Sequence, residues 1–181
     1  MYKKLVTIFS LAALSFVAMP SNGQVVAIAG YDIDWEGLTV GVGYNVPIDL
    51  TVGPVSNTMI RPSAEYVFAG LGDRGDYSVF RVSGELLGAL SLGSSDFSVR
   101  PGVQQPMDGA TPFVKAGLAL ERFSFDYDSD VPFLGGTSFS NTEIGLVLGG
   151  GVMFSSFLLE GTLGLGNISV FRIAAAYTFN I

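Results

Sequence analysis

The sequence predicts an all-β fold: an eight-stranded antiparallel up-and-down transmembrane β-barrel, preceded by a cleavable signal peptide. Eight segments alternate apolar with polar residues, which is the two-residue period of a β-strand. Nine charged residues of these segments share the polar positions. The chain is hydrophobic, yet beyond its first 23 residues it has no apolar run near the roughly 20 residues of a membrane helix. A closed barrel is the other backbone arrangement that satisfies its hydrogen bonds in lipid.

The first element is the predicted signal peptide, residues 1–23. Lys3 and Lys4 precede an apolar run from Leu5 to Met19, and small residues precede a cleavage site before Gln24. The chain has no cysteine, which excludes both a lipoprotein anchor and a disulfide framework. Residues 24–181 then form one barrel domain with a net charge near −9, because seven bases face sixteen acids. This acidic balance argues against nucleic acid as a partner.

Eight predicted strands follow in order, each long enough for a tilted membrane strand of about 9–11 residues. They span residues 24–35, 37–47, 58–69, 77–90, 111–127, 141–154, 157–166 and 168–181. The fifth keeps one face apolar only if a β-bulge lies at Glu121 and Arg122, which would turn Phe123, Phe125 and Tyr127 outward. The even number of strands places both termini at one end. The connection 91–110 would be a long turn at that same end.

The charged residues decide which face meets lipid. An Arg or Lys facing lipid near the midplane costs up to about 2–4 kcal/mol, so the charged parity is expected to face the lumen. An eight-stranded barrel is just wide enough for its side chains to fill it, and buried charges need partners. We therefore predict a plugged lumen with a structural charge network. Its predicted members are Arg61, Glu65, Arg81, Glu85, Lys115, Glu121, Glu143, Glu160 and Arg172.

The aromatic residues of the opposite parity predict two girdles at the membrane interfaces. The predicted members are Tyr31, Trp35, Tyr44, Tyr66, Phe68, Phe80, Tyr127 and Tyr177. In the last strand the apolar set ends on the terminal residue, with Tyr177 and Phe179 before Ile181. This ending is similar to the C-terminal strand of bacterial outer-membrane barrels, which the outer-membrane assembly machinery reads as a signal. The resemblance implies that Tyr177, Phe179 and Ile181 form this signal.

Five short segments together resemble the outer membrane protein β-barrel domain family, typified by OmpX and the OmpA transmembrane domain. They are 41–45 (GVGYN), 61–66 (RPSAEY), 112–118 (PFVKAGL), 148–152 (LGGGV) and 176–179 (AYTF). The resemblance implies the fold and a location in the bacterial cell outer membrane. It implies no single activity, since members of the family serve as adhesins or structural anchors.

Two predicted surface loops carry candidate contacts. Arg74, Gly75 and Asp76 form a turn between the third and fourth strands that a host or cell-surface receptor could reach, although turn chemistry alone also favours this sequence. Phe133 and Leu134 lie at the apolar tip of the longest loop, where lipopolysaccharide or a partner protein could bind. Crowding by neighbouring lipid would also explain an apolar tip.

Three alternative functions share part of this pattern. A small porin-like channel would need an open lumen. A membrane-barrel enzyme, such as a lipid A acyltransferase, a deacylase or an omptin-like protease, resembles this architecture but depends on a histidine, and the chain has none. A soluble lipocalin-like carrier would turn its charges outward. The sequence therefore predicts no enzyme, no catalytic residue, no cofactor and no metal site, and favours a structural or adhesive barrel.

Overall fold

A computed structural model describes residues 23–68, 76–90, 110–127 and 137–179, and every regular element within them is a β-strand. The predicted signal peptide lies outside these residues apart from Gly23, and so does most of the connection 91–110. The strands are β1 (Gln24–Asp32), β2 (Gly37–Pro47), β3 (Val55–Phe68), β4 (Asp76–Leu90), β5 (Thr111–Tyr127), β6 (Thr137–Phe154), β7 (Phe157–Gly166) and β8 (Phe171–Phe179).

Each strand pairs antiparallel with the next along the chain, and β8 pairs with β1 to close the barrel. This confirms the predicted fold class. The strands also differ from the prediction at their ends: β3 and β6 begin earlier than expected, whereas β1 and β8 are shorter. β1 ends at Asp32 because residues 33–36 form a tight turn in which Glu36 has a φ of 47°.

The two faces of the wall sort as predicted. The outward positions of β5 and β6 carry exposed apolar residues, among them Leu118 at 58% and Ile144 at 69% of full exposure. The inward positions between them are buried, as at Ala119 and Val147. Alternation in the sequence therefore becomes an apolar exterior around a filled interior.

The predicted β-bulge at Glu121 and Arg122 is wrong. β5 pairs with β4 and with β6 in unbroken register through both residues, so Phe123 keeps the inward parity of Glu121. The register shift in the β3–β4 pairing lies instead between Ser56 and Met59. The pattern of apolar residues changes face at Phe123 because the strand has left the lipid-facing part of the wall, not because its register slips.

The wall is taller on one side of the barrel than on the other. β3, β4, β5 and β6 have 14 to 18 residues, whereas β7, β8, β1 and β2 have 9 to 11. The β6–β7 pairing stops at Gly145 and Gly166, so residues 137–144 of β6 rise above the β7–β8 side. The tall side forms a hairpin of β5 and β6 at the end of the barrel opposite to both termini.

The lumen is filled in layers. An apolar cluster of Val26, Ile28, Leu87, Phe113, Leu158, Ala174 and Ala176 fills the end that carries the termini. Charged residues fill the middle, and a smaller apolar cluster of Ala119, Val147 and Ile168 lies towards the other end. In the described residues no helix has the length and hydropathy that a membrane crossing needs.

Candidate functional site

The candidate site is the charged middle of the lumen. Inward positions of β1, β3, β4, β5, β7 and β8 place its side chains, and small residues opposite them leave the necessary space. A Cβ atom at Gly43 would lie 3.3 Å from the Arg61 side chain, and one at Gly149 would lie 3.0 Å from the Lys115 side chain. Glycine at these inward positions therefore gives the long side chains the room to cross a narrow lumen.

Two bases and two acids form the lower cluster, which lies nearer the termini. Arg61 Nη2 donates to Glu85 Oε2 at 2.6 Å and to Glu160 Oε2 at 2.7 Å. Lys115 Nζ donates to the other oxygens of the same carboxylates, at 3.1 Å from Glu85 and 3.0 Å from Glu160. All four side chains are at most 2% exposed. Each charge thus has two partners of opposite sign, which offsets the cost of burying it.

The upper cluster surrounds Arg81 near the mouth. Its Nη2 donates to Asp32 Oδ2 at 2.8 Å, and its Nε donates to Glu121 Oε1 at 2.6 Å. Ser169, in the turn between β7 and β8, accepts a hydrogen bond from Arg81 Nη2 at 2.8 Å and donates from its hydroxyl to Glu121 at 3.0 Å. The upper cluster therefore combines strand residues with a turn residue.

Glu65 and Arg172 connect the two clusters. Arg172 Nη2 lies 3.2 Å from Glu160 Oε1 in the lower cluster, and its Nη1 contacts Glu65. Glu65 in turn lies 3.7 Å from Arg81 Nη1, beyond hydrogen-bond distance. The ion pairs therefore form one continuous network of four bases and five acids, with its weakest link between Glu65 and Arg81.

A stacked aromatic pair covers the upper cluster. The rings of Trp35 and Phe123 lie 5.0 Å apart with an interplanar angle of 16°. Trp35 Nε1 donates to Ser169 Oγ at 2.7 Å, and the Trp35 backbone N–H donates to Asp32 Oδ1 at 3.3 Å. The prediction that Trp35 joins an outer girdle is wrong, because the tight turn after β1 directs its side chain over the mouth of the lumen.

Two side chains of the network, Asp32 and Ser169, were not predicted from the sequence to belong to it. Asp32 is fully buried, and its inward parity was a usable signal, but it stands beside the turn where the strand was expected to continue. The prediction includes Ser169 in the eighth strand, 168–181, whereas it lies in the turn before β8, where strand parity does not apply. The buried Tyr44 also departs from the predicted girdle, because its ring lies directly against Gly23.

Glu143 stands apart from the network. It pairs across the strands with Glu121, but its own carboxylate accepts a hydrogen bond from Asn141 Nδ2 at 2.8 Å and makes no ion pair among the described residues. Glu143 belongs to residues 137–144 of β6, which rise above β7 and β8, and water reaches it there. Within the described residues, no group of carboxylates is arranged to hold a metal ion.

The other predicted site residues fall mostly outside the described part of the chain. Arg74, Gly75, Phe133, Leu134 and Ile181 lie there, and Asp76 is described only by its place at the start of β4. At the end with both termini, the Tyr177 ring contacts Phe157 and Phe179 edge to face, with centroids 4.8 Å and 4.7 Å apart. The alternating aromatics of β8 thus lie together on the outer face.

No family model matches the chain, and no curated protein matches it. The solved structure of the outer membrane enzyme PagL matches with a TM-score of 0.50 and 18% identity, over 87% of this chain and 99% of PagL. Neisserial surface protein A matches with a TM-score of 0.51 and 14% identity, over 88% of this chain and 94% of that protein. The chain has the fold of a small outer-membrane β-barrel.

Ail, the attachment invasion locus protein of Yersinia pestis, also matches, with a TM-score of 0.43 and 10% identity over 87% of this chain and 95% of Ail.

The match to PagL corrects one prediction. The prediction that the chain is not an enzyme is wrong: the fold is that of an outer membrane enzyme as well as of other barrels, so the architecture does not exclude catalysis.

Proposed function

We propose that the chain is an integral outer-membrane β-barrel with a closed lumen, which acts as a structural membrane protein or as a surface interaction protein through its extracellular loops. The observation that carries this proposal is the sorting of side chains across the wall. Apolar residues such as Leu118 and Ile144 are exposed on the outside, while nine ion pairs among the described residues are buried inside. An exterior of this kind is stable in hydrocarbon and unfavourable in water.

The proposal includes the route to the membrane. Residues 1–23 are the signal peptide, and Tyr177, Phe179 and Ile181 are the signal for the outer-membrane assembly machinery. The end with both termini faces the periplasm, and the tall β5–β6 hairpin faces the cell exterior. We place the chain among barrels of the OmpX and OmpA type because its segments 41–45, 61–66, 112–118, 148–152 and 176–179 resemble that family.

The surface role rests on the loops at the tall end. Arg74, Gly75 and Asp76 are proposed to contact a host or cell-surface receptor, and Phe133 and Leu134 to contact lipopolysaccharide or a partner protein. The filled lumen supports this role, since the buried charges of the described strands pair with one another across the middle of the barrel. We expect the ionic network to hold the wall rigid beneath these loops.

The first experiment tests the location and the orientation together. Cells expressing the full chain are fractionated, and the membrane fraction is run on a gel with and without heating. We expect the protein in the outer-membrane fraction, with faster migration before heating, and cleavage within 128–136 by protease added to intact cells. Recovery in the soluble periplasm, or cleavage only after lysis, would refute the proposal.

The second experiment tests the closed lumen. Purified protein is inserted into planar bilayers, and the single-channel current is recorded for the wild type and for Arg61→Ala, which removes a side chain that crosses the lumen. We expect no steady conductance from the wild type. A steady wild-type conductance would contradict the closed lumen and favour the porin-like alternative.

A further inference from the structure

We propose that the inner face of the β5–β6 hairpin, above the ionic network, binds a small organic cation. The ligand class is an ammonium group attached to a short hydrocarbon body, with the ammonium at Glu143 and the hydrocarbon over the ring of Phe139. The surface formed by Phe123, Phe139, Asn141 and Glu143 is called the shelf below. The inference goes beyond the proposed function, and its test needs only the folded barrel.

The register of the hairpin brings the residues of the shelf together. β5 and β6 pair Phe123 with Asn141 and Phe125 with Phe139, and all four residues have inward parity. The pairing of β6 with β7 ends at Gly145, so the described part of β7 leaves the shelf open on that side. Aromatic rings, an amide and a carboxylate therefore line one face at the mouth of the barrel.

The carboxylate of the shelf has no base beside it. Glu143 is half-buried and stands directly opposite Glu121. Glu121 already accepts hydrogen bonds from Arg81 Nε and from the Ser169 backbone N–H. Glu143 accepts one from Asn141 Nδ2 at 2.8 Å and makes no ion pair among the described residues. Like charges directly opposite each other on paired strands are destabilising, and a cation beside Glu143 would offset this repulsion.

The surroundings of Glu143 are also acidic. The turn 33–36 at the mouth adds Asp34 and Glu36, which are both exposed. Arg122 is the base next to the shelf on β5, but its parity is outward, so it lies on the other face of the strand. The resulting negative potential favours a cation at the shelf and disfavours a phosphate, a sulfate or another anion.

The apolar part of the shelf indicates hydrocarbon on the ligand. Phe139 is 59% exposed, and it is the one exposed large apolar residue of the described strands that has inward parity. Lipid covers the outer face of the wall and not its inner face, so the membrane does not account for the exposure of Phe139. Exposed apolar surface of this kind marks contact sites.

Phe123 connects the charged and the apolar halves of the shelf. In an antiparallel pair, diagonal neighbours lie about 7–8 Å apart, within reach of aromatic side chains. Phe139 and Glu143 are both diagonal neighbours of Phe123 across the ladder. The Phe123 ring stacks on Trp35 with centroids 5.0 Å apart. An ammonium group at Glu143 would therefore lie near an aromatic pair, and aromatic rings attract such cations.

A metal ion suits the shelf less well than an organic cation does. Calcium takes about six to eight oxygen ligands. Among the described residues no group of carboxylates is arranged to hold a metal ion. An ammonium group needs fewer oxygen partners, and its hydrocarbon body would also cover Phe139, which a metal ion cannot do.

The test uses the protein folded in micelles of an uncharged detergent, with three probes that share one hydrocarbon body: hexylammonium, hexanol and hexanoate. Phe139 and Glu143 are about 13 Å apart along β6, a span that suits a hexyl chain between their side chains. Binding is followed by the emission of Trp35, the one tryptophan in the sequence, and by calorimetry corrected with empty micelles. We expect hexylammonium to bind at least about tenfold more tightly than hexanol, and hexanoate not to bind.

Glu143→Gln removes the charge of the shelf and keeps the volume of the side chain. We expect it to weaken hexylammonium binding at least about tenfold, to the level of hexanol, and to leave hexanol binding unchanged. Glu36→Gln is the matched control, because it removes an exposed acid of the same mouth outside the shelf, and binding should stay within about twofold. Phe139→Ala should weaken hexylammonium and hexanol alike, by about fivefold. Heat-modifiable migration checks that each variant is folded.

The inference is overturned if hexanol or hexanoate binds as tightly as hexylammonium, since the shelf would then not recognise a cation. Equal weakening by Glu143→Gln and Glu36→Gln also overturns it, since general acidity would then explain the binding, and so does a folded protein that binds no probe. None of these results bears on the proposed function, which fractionation and surface proteolysis test. Failure of those two experiments would in turn leave the binding measurement on the folded barrel unaffected.

Discussion

The two ends of the ionic network differ in the elements that position their side chains. Strands alone position the side chains of the lower cluster, whereas a turn also contributes to the upper cluster. The lower cluster consists of four strand residues, Arg61, Glu85, Lys115 and Glu160. Among the described residues, their ion pairs join them to one another and to Arg172. In the upper cluster, Arg81 and Glu121 share their bonds with Ser169, a residue of a turn. The lower cluster is formed by strand residues alone, whereas the upper cluster also depends on the two turns that close over it.

The turns that close the mouth also hold each other. Asp34, in the turn after β1, accepts hydrogen bonds from the backbone N–H groups of Val170 and Phe171 at the start of β8, the second at 3.1 Å. Trp35 in the same turn donates to Ser169. Variants of the lower cluster should therefore act on the whole barrel, and variants of the upper cluster should act on the mouth.

The largest effect is expected from Glu160→Gln in the lower cluster. Glu160 lies within 3.2 Å of Arg61, Lys115 and Arg172, and the substitution keeps its volume while it leaves three buried bases short of an acid. Breaking a buried ion pair in this way lowers the free energy of unfolding by about 3–5 kcal/mol. Urea unfolding in micelles, followed by loss of the heat-modifiable band, measures it.

Glu143→Gln is the matched control for that prediction. Glu143 has the same chemistry but stands outside the network and is half-buried. Its replacement should change the free energy of unfolding by no more than about 0.5 kcal/mol. If both variants lose the same stability, the buried network is not what distinguishes Glu160.

A smaller effect is expected from Trp35→Ala at the mouth. The variant loses a stacked ring pair and the hydrogen bond from Nε1 to Ser169, which together contribute about 2 kcal/mol. Trp35→Phe keeps an aromatic ring over Phe123 and loses only the N–H, so about half of the effect should remain. Urea unfolding measures both variants, and equal losses would show that stacking contributes nothing.

The two clusters also differ in how well the sequence predicts them. Strand parity placed Arg61, Glu85, Lys115 and Glu160 on one face, because inside a strand each residue's direction follows from the two-residue period. Parity failed at Trp35, since a turn of four residues redirects the side chain, and at Ser169, which belongs to no strand. Parity failed at Phe123 for a different reason. Apolar residues mark the outer face only where that face meets lipid, and at Phe123 the strand β5 has left the lipid-facing part of the wall.

The third prediction concerns Ser169→Ala, which removes the hydroxyl shared by Arg81, Glu121 and Trp35. The backbone N–H of Ser169 still donates to Glu121 at 3.0 Å, so only the side-chain bonds are lost. A loss of about 1 kcal/mol in the free energy of unfolding is expected. Trp35 is the one tryptophan in the sequence, so its emission spectrum reports on the mouth directly. An unchanged emission maximum would mean that the bond from Trp35 to Ser169 does not hold the ring.

The smallest effect is the coupling between the two clusters, measured by combining Glu160→Gln with Ser169→Ala. The clusters are joined through Glu65, which contacts Arg172 but lies 3.7 Å from Arg81 Nη1. This contact is the longest ion pair of the described network, and Arg81 already has closer acids, Asp32 and Glu121. We therefore expect the two losses to add within about 0.5 kcal/mol. A coupling well above that value would mean that loss of charge at Glu160 reorganises Arg172 and Glu65 as far as the mouth, and that the lumen behaves as one cooperative unit.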